Sequence, residues 1–468
     1  MKIEQLYTGC LAQGAYYIES DGEVAIIDPL REIQQYVDKA KANNANIKYI
    51  LETHFHADFV SGHVDLAKQT GATIVFGPGA STDYKIHTAT DGEELKLGKV
   101  TLKVLHTPGH TLESATYLLK DENGKDHAIF SGDTLFLGDV GRPDLAIKSD
   151  LTKEDLAGML FDSLRNKIMP LADDVIVYPA HGAGSACGKN LSKETVGILG
   201  EQKQTNYALR ADMTKAEFIK EVLDGIAPPP QYFAKNAMMN KMGYDTFETV
   251  LKTGNVPLNP NEFEALAYHE SALVLDVRTQ ADFIKAHIPN SIFIGLNGGF
   301  APWVGALIKD IKQPIVLVVP EGKSEEAVTR LSRVGYDNTL GYLNGGIEAW
   351  KAAGKDIDTL ESVTVDEFAK RAKSETLNIL DVRKDGEYVS SHIVDAQHLS
   401  LDLINEKMNE VSKDKTYYVH CAGGYRSVIA ASILKARGFH NLIDVDGGFA
   451  AIKQTDIETT DFVCPTTL

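Results

Sequence analysis

The chain has 468 residues, 43% hydrophobic and 24% charged, an ordinary balance for a globular protein with buried cores. At roughly 100–200 residues per domain, that length corresponds to two to four domains. With 47 Lys and Arg against 65 Asp and Glu, the net charge is −18, which disfavours nucleic acid and anionic membranes as partners but leaves room for a small anionic ligand in a local basic pocket.

No apolar run approaches the roughly 18–20 residues of a membrane span, and the opening MKIEQLYTGC lacks the apolar core of a signal peptide. Four cysteines, Cys10, Cys187, Cys421 and Cys464, show no CxxC pair and no regular spacing, which suits a reducing compartment. A cytoplasmic location is therefore expected.

In chain order, AYYIES (15–20) and EVAIIDP (23–29) read as amphipathic antiparallel strands. Strand–loop–helix units follow, and then a second β-rich stretch, KLGKVTLKVLHTPGH and HAIFSGDTLF. The pattern predicts an αββα sandwich over residues 1–245. His54 and His56 follow the strand IKYIL, Asp58 comes two residues later, His110 sits in HTPGHT, Asp133 in FSGDTLF and His181 in VYPAHG. Each lies at a strand end beside turn residues, where convergent loops deliver ligands to one point. Imidazole and carboxylate suit a divalent metal, with no cysteine competing.

These motifs resemble the metallo-β-lactamase fold superfamily, whose signature is HxHxDH with a later His, Asp and His. Position 59 is Phe where the two-metal hydrolases carry the last His of the motif, so one metal per chain is expected. Among one-metal branches the resemblance is nearest to the persulfide dioxygenases. It implies Fe(II), with zinc as the alternative, held by His54, His110 and Asp133 in a facial arrangement with open positions for a thiol-bound sulfur and O2. His56, Asp58 and His181 are candidates either to add ligands or to orient those three. Arg142, in LGDVGRPDL, matches a Gly-Arg-x-Asp segment and is the candidate contact to a carboxylate or phosphate of the thiol carrier. Cys187, six residues after His181, is a candidate sulfur relay.

Residues 201–258 contain the helical stretch TKAEFIKEVLDGI, the break Pro228–Pro230 and the Met-rich AMMNKMG, read as packing. The expected linker is 246–258. Beyond it the chain repeats itself: LVLDVRTQADFIKAHIPNSIFI (273–294) is echoed by NILDVRKDGEYVSSHIVDAQHL (378–399). Each copy runs on to a second apolar strand, a helix and a strand ending in Gly-Gly, at 345–346 and 447–448. A period of about 100 residues suits duplicated α/β domains with mainly parallel sheets, expected at 259–356 and 357–468. Asp276, Arg278, Asp381 and Arg383 read as ion pairs within their domains.

In TYYVHCAGGYRSVIAASILKA (416–436), Cys421 sits between a strand and a helix N-terminus, where free backbone N–H groups and the dipole favour a thiolate. Gly423 and Gly424 permit positive φ, so amides can curl around the sulfur, and Arg426 closes the loop with positive potential. This loop, one residue shorter than that of cysteine phosphatases, resembles the rhodanese sulfurtransferases, as do the LDVR and Gly-Gly segments. The resemblance implies Cys421 and Arg426 as catalytic and Gly423 and Gly424 as binding groups. The middle copy has no cysteine; VVPEGKSEEA stands where the loop should be, and a scaffold or docking role is expected.

The combined expectation is a bifunctional enzyme of sulfide detoxification. It oxidises a low-molecular-weight thiol persulfide with O2 to sulfite, and passes sulfane sulfur through a Cys421 persulfide to sulfite, giving thiosulfate. Two other readings stand beside it: a zinc-dependent thioester hydrolase of the glyoxalase II type fused to a sulfurtransferase, and a non-catalytic persulfide sensor or sulfur carrier. Self-association is expected as well.

Overall fold

The computed structural model describes residues 1–145 and 151–464. Two compact units result: 1–247 with 332–335, and 248–331 with 336–468. Among the described residues, no helix is long and apolar enough to cross a membrane.

The first unit is built on two six-stranded sheets, each in sequential strand order. One contains Lys2–Thr8 (β1), Gln13–Ser20 (β2), Glu23–Ile27 (β3), Asn46–Leu51 (β4), Thr73–Phe76 (β5) and His87–Thr88 (β6). The other contains Glu94–Leu97 (β7), Val100–His106 (β8), Ala115–Lys120 (β9), Asp126–Gly132 (β10), Ile176–Pro179 (β11) and Gly197–Ile198 (β12). The facing surfaces alternate apolar residues into one core, with Tyr16, Ile18, Ile27 and Val75 from the first sheet against Val104, Tyr117, Leu119 and Phe130 from the second. Helices Gln34–Ala42 and His63–Thr70 cover the outer face of the first sheet. Lys153–Ser163 and Lys215–Leu223 cover that of the second, giving the αββα layering. β3, β4 and β5 pair in parallel, so their C-terminal ends share one edge, and the His54 loop leaves from the end of β4.

The second unit holds two five-stranded sheets of matching order. In the first, Pro257–Leu258 (β13), Leu273–Asp276 (β14), Ile292–Phe293 (β15), Ile315–Val318 (β16) and Thr339–Leu343 (β17) lie in the order β13-β17-β16-β14-β15. In the second, Glu361–Val363 (β18), Asn378–Asp381 (β19), Gln397–His398 (β20), Tyr417–His420 (β21) and Leu442–Val445 (β22) lie in the order β18-β22-β21-β19-β20. Every pairing in both is parallel. The repeated Asp-Val-Arg closes on itself in each copy. Arg278 Nη2 donates to Asp276 Oδ2 at 2.6 Å and to Ala286 O at 2.7 Å, and Arg383 Nη2 repeats the arrangement with Asp381 and Ser391 O.

Candidate functional site

The first site is assembled from three strand ends. Beyond β4, the Thr53 amide and hydroxyl donate to the two carboxylate oxygens of buried Asp28, at 2.8 and 2.9 Å. With its only proton directed to Asp28, the Thr53 oxygen can only accept at its 3.0 Å contact with His54 Nδ1. His54 therefore carries its proton on Nδ1 and presents a lone pair on Nε2. After β8, His110 Nδ1 donates to Arg142 O at 2.8 Å, since a carbonyl can only accept, and this leaves Nε2 as the nitrogen open to a metal. Asp133 follows Gly132, where β10 shifts register against β11 and φ is +54°. A Cβ at Gly132 would press on the Thr53 side chain, so this glycine lets the Asp133 and His54 loops meet.

His110 Nε2 lies 3.3 Å and His54 Nε2 3.9 Å from Asp133 Oδ2. All three atoms are buried and have no hydrogen-bond partner within the protein. Three convergent orphaned ligand atoms in the interior are costly unless a cation joins them, so the donor set fits a divalent metal. Burial, followed by the neighbouring His56 ring, holds His54 well below its ordinary pKa, in the neutral form a metal requires. Burial alone would raise the Asp133 carboxyl, but the charged His181 ring that hydrogen-bonds it outweighs burial and holds it far below the carboxylate range.

The remaining candidates fall into two neighbouring groups. His56 turns toward Asp28 and Glu52, at 3.0 and 3.5 Å from Nε2. Burial opposes its charge, yet these carboxylates raise its pKa to about 9. Phe59 lies against the same ring, with centroids 4.3 Å apart. His181 bridges two carboxylates, Nδ1 to Asp133 Oδ1 and Nε2 to Asp58 Oδ2, both at 2.8 Å. Against the penalty of burial, they raise it well above the ordinary histidine value. Cys187 completes a possible ligand set with Asp58 and His181, but burial, then Asp58 and Asp133, push its thiol well up. The Arg142 guanidinium is engaged by Asp144 at 2.6 and 2.8 Å, by Ala186 O at 3.2 Å and by Ala227 O at 2.6 Å. Asp28, Glu52 and Thr53 went unread in the sequence. The one signal for them was acidic and hydroxyl residues at the ends of apolar strands.

The second site follows β21. Cys421 is buried, and the Gly424 amide donates to its Sγ at 3.1 Å. Of the two glycines expected to curl the loop, only Gly424 takes positive φ, at +96°, where it starts the helix Tyr425–Ala436. A Cβ on Gly423 would meet nothing within 4 Å. Ser427 Oγ lies 3.7 Å from the sulfur. The Arg426 fork pairs with both oxygens of Glu387, at 2.6 and 2.8 Å, so its charge is compensated inside the domain. In the middle copy Val319 follows β16 where Cys421 follows β21, and Gly322, at φ +72°, parallels Gly424. The loop's shape is kept without its nucleophile.

Comparison with known proteins is consistent with this architecture. The pattern of the Metallo-beta-lactamase superfamily matches residues 8–181, and that of the Rhodanese-like domain matches 259–353 and 364–455. A crystal structure of a metallo-beta-lactamase from Staphylococcus aureus superposes with a TM-score of 0.64 at 32% identity, over 74% of this chain and 98% of that one. The cytoplasmic hydroxyacylglutathione hydrolase of Arabidopsis thaliana is 33% identical over 189 residues, 39% of this chain and 67% of its own length. The mitochondrial persulfide dioxygenase ETHE1 of Bos taurus is 28% identical over 214 residues, 45% of this chain and 74% of its own length. Two proteins of Schizosaccharomyces pombe named as probable hydroxyacylglutathione hydrolases are spanned over 66% and 58% of their length.

Proposed function

The chain belongs to the metallo-beta-lactamase superfamily, with two rhodanese-like domains following that fold, and from this premise we propose a bifunctional persulfide dioxygenase and sulfurtransferase. The observation that carries it is the trio of orphaned atoms, two imidazole nitrogens and one carboxylate oxygen, on a chain that also carries a cradled cysteine. Two His and one carboxylate with free positions opposite is the ligand set of non-haem Fe(II) oxygenases. Ferrous iron held by His54, His110 and Asp133 would supply the activation of O2 toward a thiol-bound sulfur. The net reaction takes one persulfide, one O2 and one water to one thiol and one sulfurous acid.

The chain's own residues prepare that site. Thr53 and the Arg142 carbonyl fix the two imidazoles with Nε2 inward. His181 holds Asp133 by one oxygen and leaves the other to face the imidazoles. With its fork committed to Asp144 and two carbonyls, Arg142 acts on His110 through its backbone. In the last domain, the Cys421 thiolate attacks the outer sulfur of a persulfide. An S–Sγ bond forms, the donor S–S bond breaks, and the thiol leaves with the proton. Sulfite then takes that sulfur, giving thiosulfate and returning the thiolate. The Gly424 amide, aimed at Sγ, stabilises the anion in both steps.

A zinc-dependent thioester hydrolase is the second reading, favoured by the similarity to hydroxyacylglutathione hydrolases. Metal analysis of anaerobically prepared protein, with oxygen-electrode assays on glutathione and coenzyme A persulfides, decides between them. About one iron per chain with persulfide-dependent O2 uptake is expected. Bound zinc with hydrolysis of S-lactoylglutathione and no O2 uptake would overturn the dioxygenase.

A further inference from the structure

Within the second unit, the segment 421–426 contains one side chain that leaves its own domain. The Tyr425 hydroxyl donates to Gly295 O, in the cysteine-free copy, at 2.7 Å. Its ring meets Phe293 edge-on, with centroids 5.9 Å apart. Gly298 lies so close to that ring that a Cβ at 298 would overlap its atoms. Nearby, Phe293 N–H donates to Ser432 Oγ at 3.0 Å, on the helix that Tyr425 begins.

The receiving loop, 295–299, is itself braced. Arg330, on the helix that follows the cysteine-free loop, donates to Leu296 O at 2.6 Å and to Gly298 O at 3.4 Å. Its guanidinium also lies over the Phe300 ring, 5.3 Å from the centroid. At the other end, Tyr425 directly follows Gly424, whose amide points at the Cys421 sulfur. A displaced Tyr425 ring therefore shifts the Gly424 Cα, to which that amide nitrogen is bonded.

We propose that the cysteine-free copy braces the sulfur site: its loop 295–299 seats Tyr425, and Tyr425 fixes the Gly424 amide on Cys421. Tyr425, Gly298 and Arg330 are positioning residues, acting on the sulfur through Gly424. A hydrogen bond to an anion is strong only when distance and angle are both met, so a sub-ångström shift is felt. The inference rests on the sulfurtransferase reading for its turnover readout alone.

The test uses the full chain and four variants: Gly298→Ala, Tyr425→Ala, the pair combined, and Tyr425→Phe. Iodoacetamide alkylation of Cys421 is followed against pH by peptide mass spectrometry, alongside sulfur transfer to sulfite. In Gly298→Ala, the alkylation profile should move to higher pH by about half a unit or more, with kcat down about tenfold and KM for sulfite little changed. Tyr425→Ala should behave alike, and adding Gly298→Ala to it should change nothing further, because no ring remains to be struck. Tyr425→Phe, which only loses the bond to Gly295 O, should move the profile the same way by less, and it carries the test if Gly298→Ala does not fold. An unmoved profile in folded Gly298→Ala, or additive losses in the double variant, would overturn the brace. Wild-type protein whose Cys421 reacts with iodoacetamide but which, left unalkylated, transfers no sulfur to sulfite would sink the sulfurtransferase reading, while the alkylation profiles still decide the brace.

Discussion

Thr53 determines which nitrogen of His54 is offered to a metal, and it does so because Asp28 has already claimed its proton. Thr53→Val keeps the shape and removes the oxygen, leaving His54 Nδ1 without its acceptor. Metal affinity should fall about 10–100-fold in chelator competition, with the fold intact by circular dichroism. The three side chains that converge were readable, since His54, His110 and Asp133 each follow an apolar strand. The group that selects the tautomer was not, because it depends on Asp28 arriving from a strand 25 residues earlier. The Arg426 partnership was hidden in the same way: Glu387 lies 39 positions away, and only the fold brings it to the fork.

The helix Lys153–Ser163 shows how an element serves a site it contributes no ligand to. Its start is a capping box in which Thr152 and Asp155 satisfy each other's amides. Farther along, Ser163 Oγ donates to Pro108 O at 2.8 Å, and Leu160 lies directly against Gly109, whose φ is +146°. The segment that carries His110 is therefore pressed onto this helix, and only glycine fits beneath Leu160. Thr152→Ala should cost about 1 kcal/mol, read as a fall of a few degrees in the unfolding midpoint. Gly109→Ala should instead displace the loop and reduce bound metal to less than half, measured by metal analysis. TPGH announced a turn in the sequence. That a helix some fifty residues later would seat it was beyond periodicity, because nothing in a helix's pattern names the loop it packs on.

On the scale of the molecule, each unit carries its own core, so the two proposed activities should come apart cleanly. Cys421→Ser should abolish thiosulfate formation from persulfide and sulfite with O2 uptake unchanged, and His110→Ala should do the reverse. Acid–base behaviour supplies a second expectation. Burial raises Asp444, on β22, to about 6, although Ser427 and Ser362 pull it down. Below about pH 4 the group is protonated in both folded and unfolded chains, and its contribution to stability is fully present. As pH rises to about 6 the unfolded chain ionises first, so that contribution is lost, and it stays lost above. Asp444→Asn should therefore stabilise the second unit at pH 7.5 by at most about 3 kcal/mol, and the gain should vanish below pH 4 in denaturant titrations. The duplication was legible because Asp-Val-Arg and Gly-Gly recur in the same order about 100 residues on. The brace between the copies was not, since Gly298 and Tyr425 have no counterpart at any fixed period.

The matching strand order of those two sheets has a consequence during biosynthesis. The earlier copy leaves the ribosome first, and until its sheet closes it offers the later one an edge of the same topology, an invitation to domain-swapped misassembly. The strands that would be exchanged differ in sequence, IVLV in the earlier copy against YYVH in the later, so a swapped strand brings side chains of the wrong size to the core.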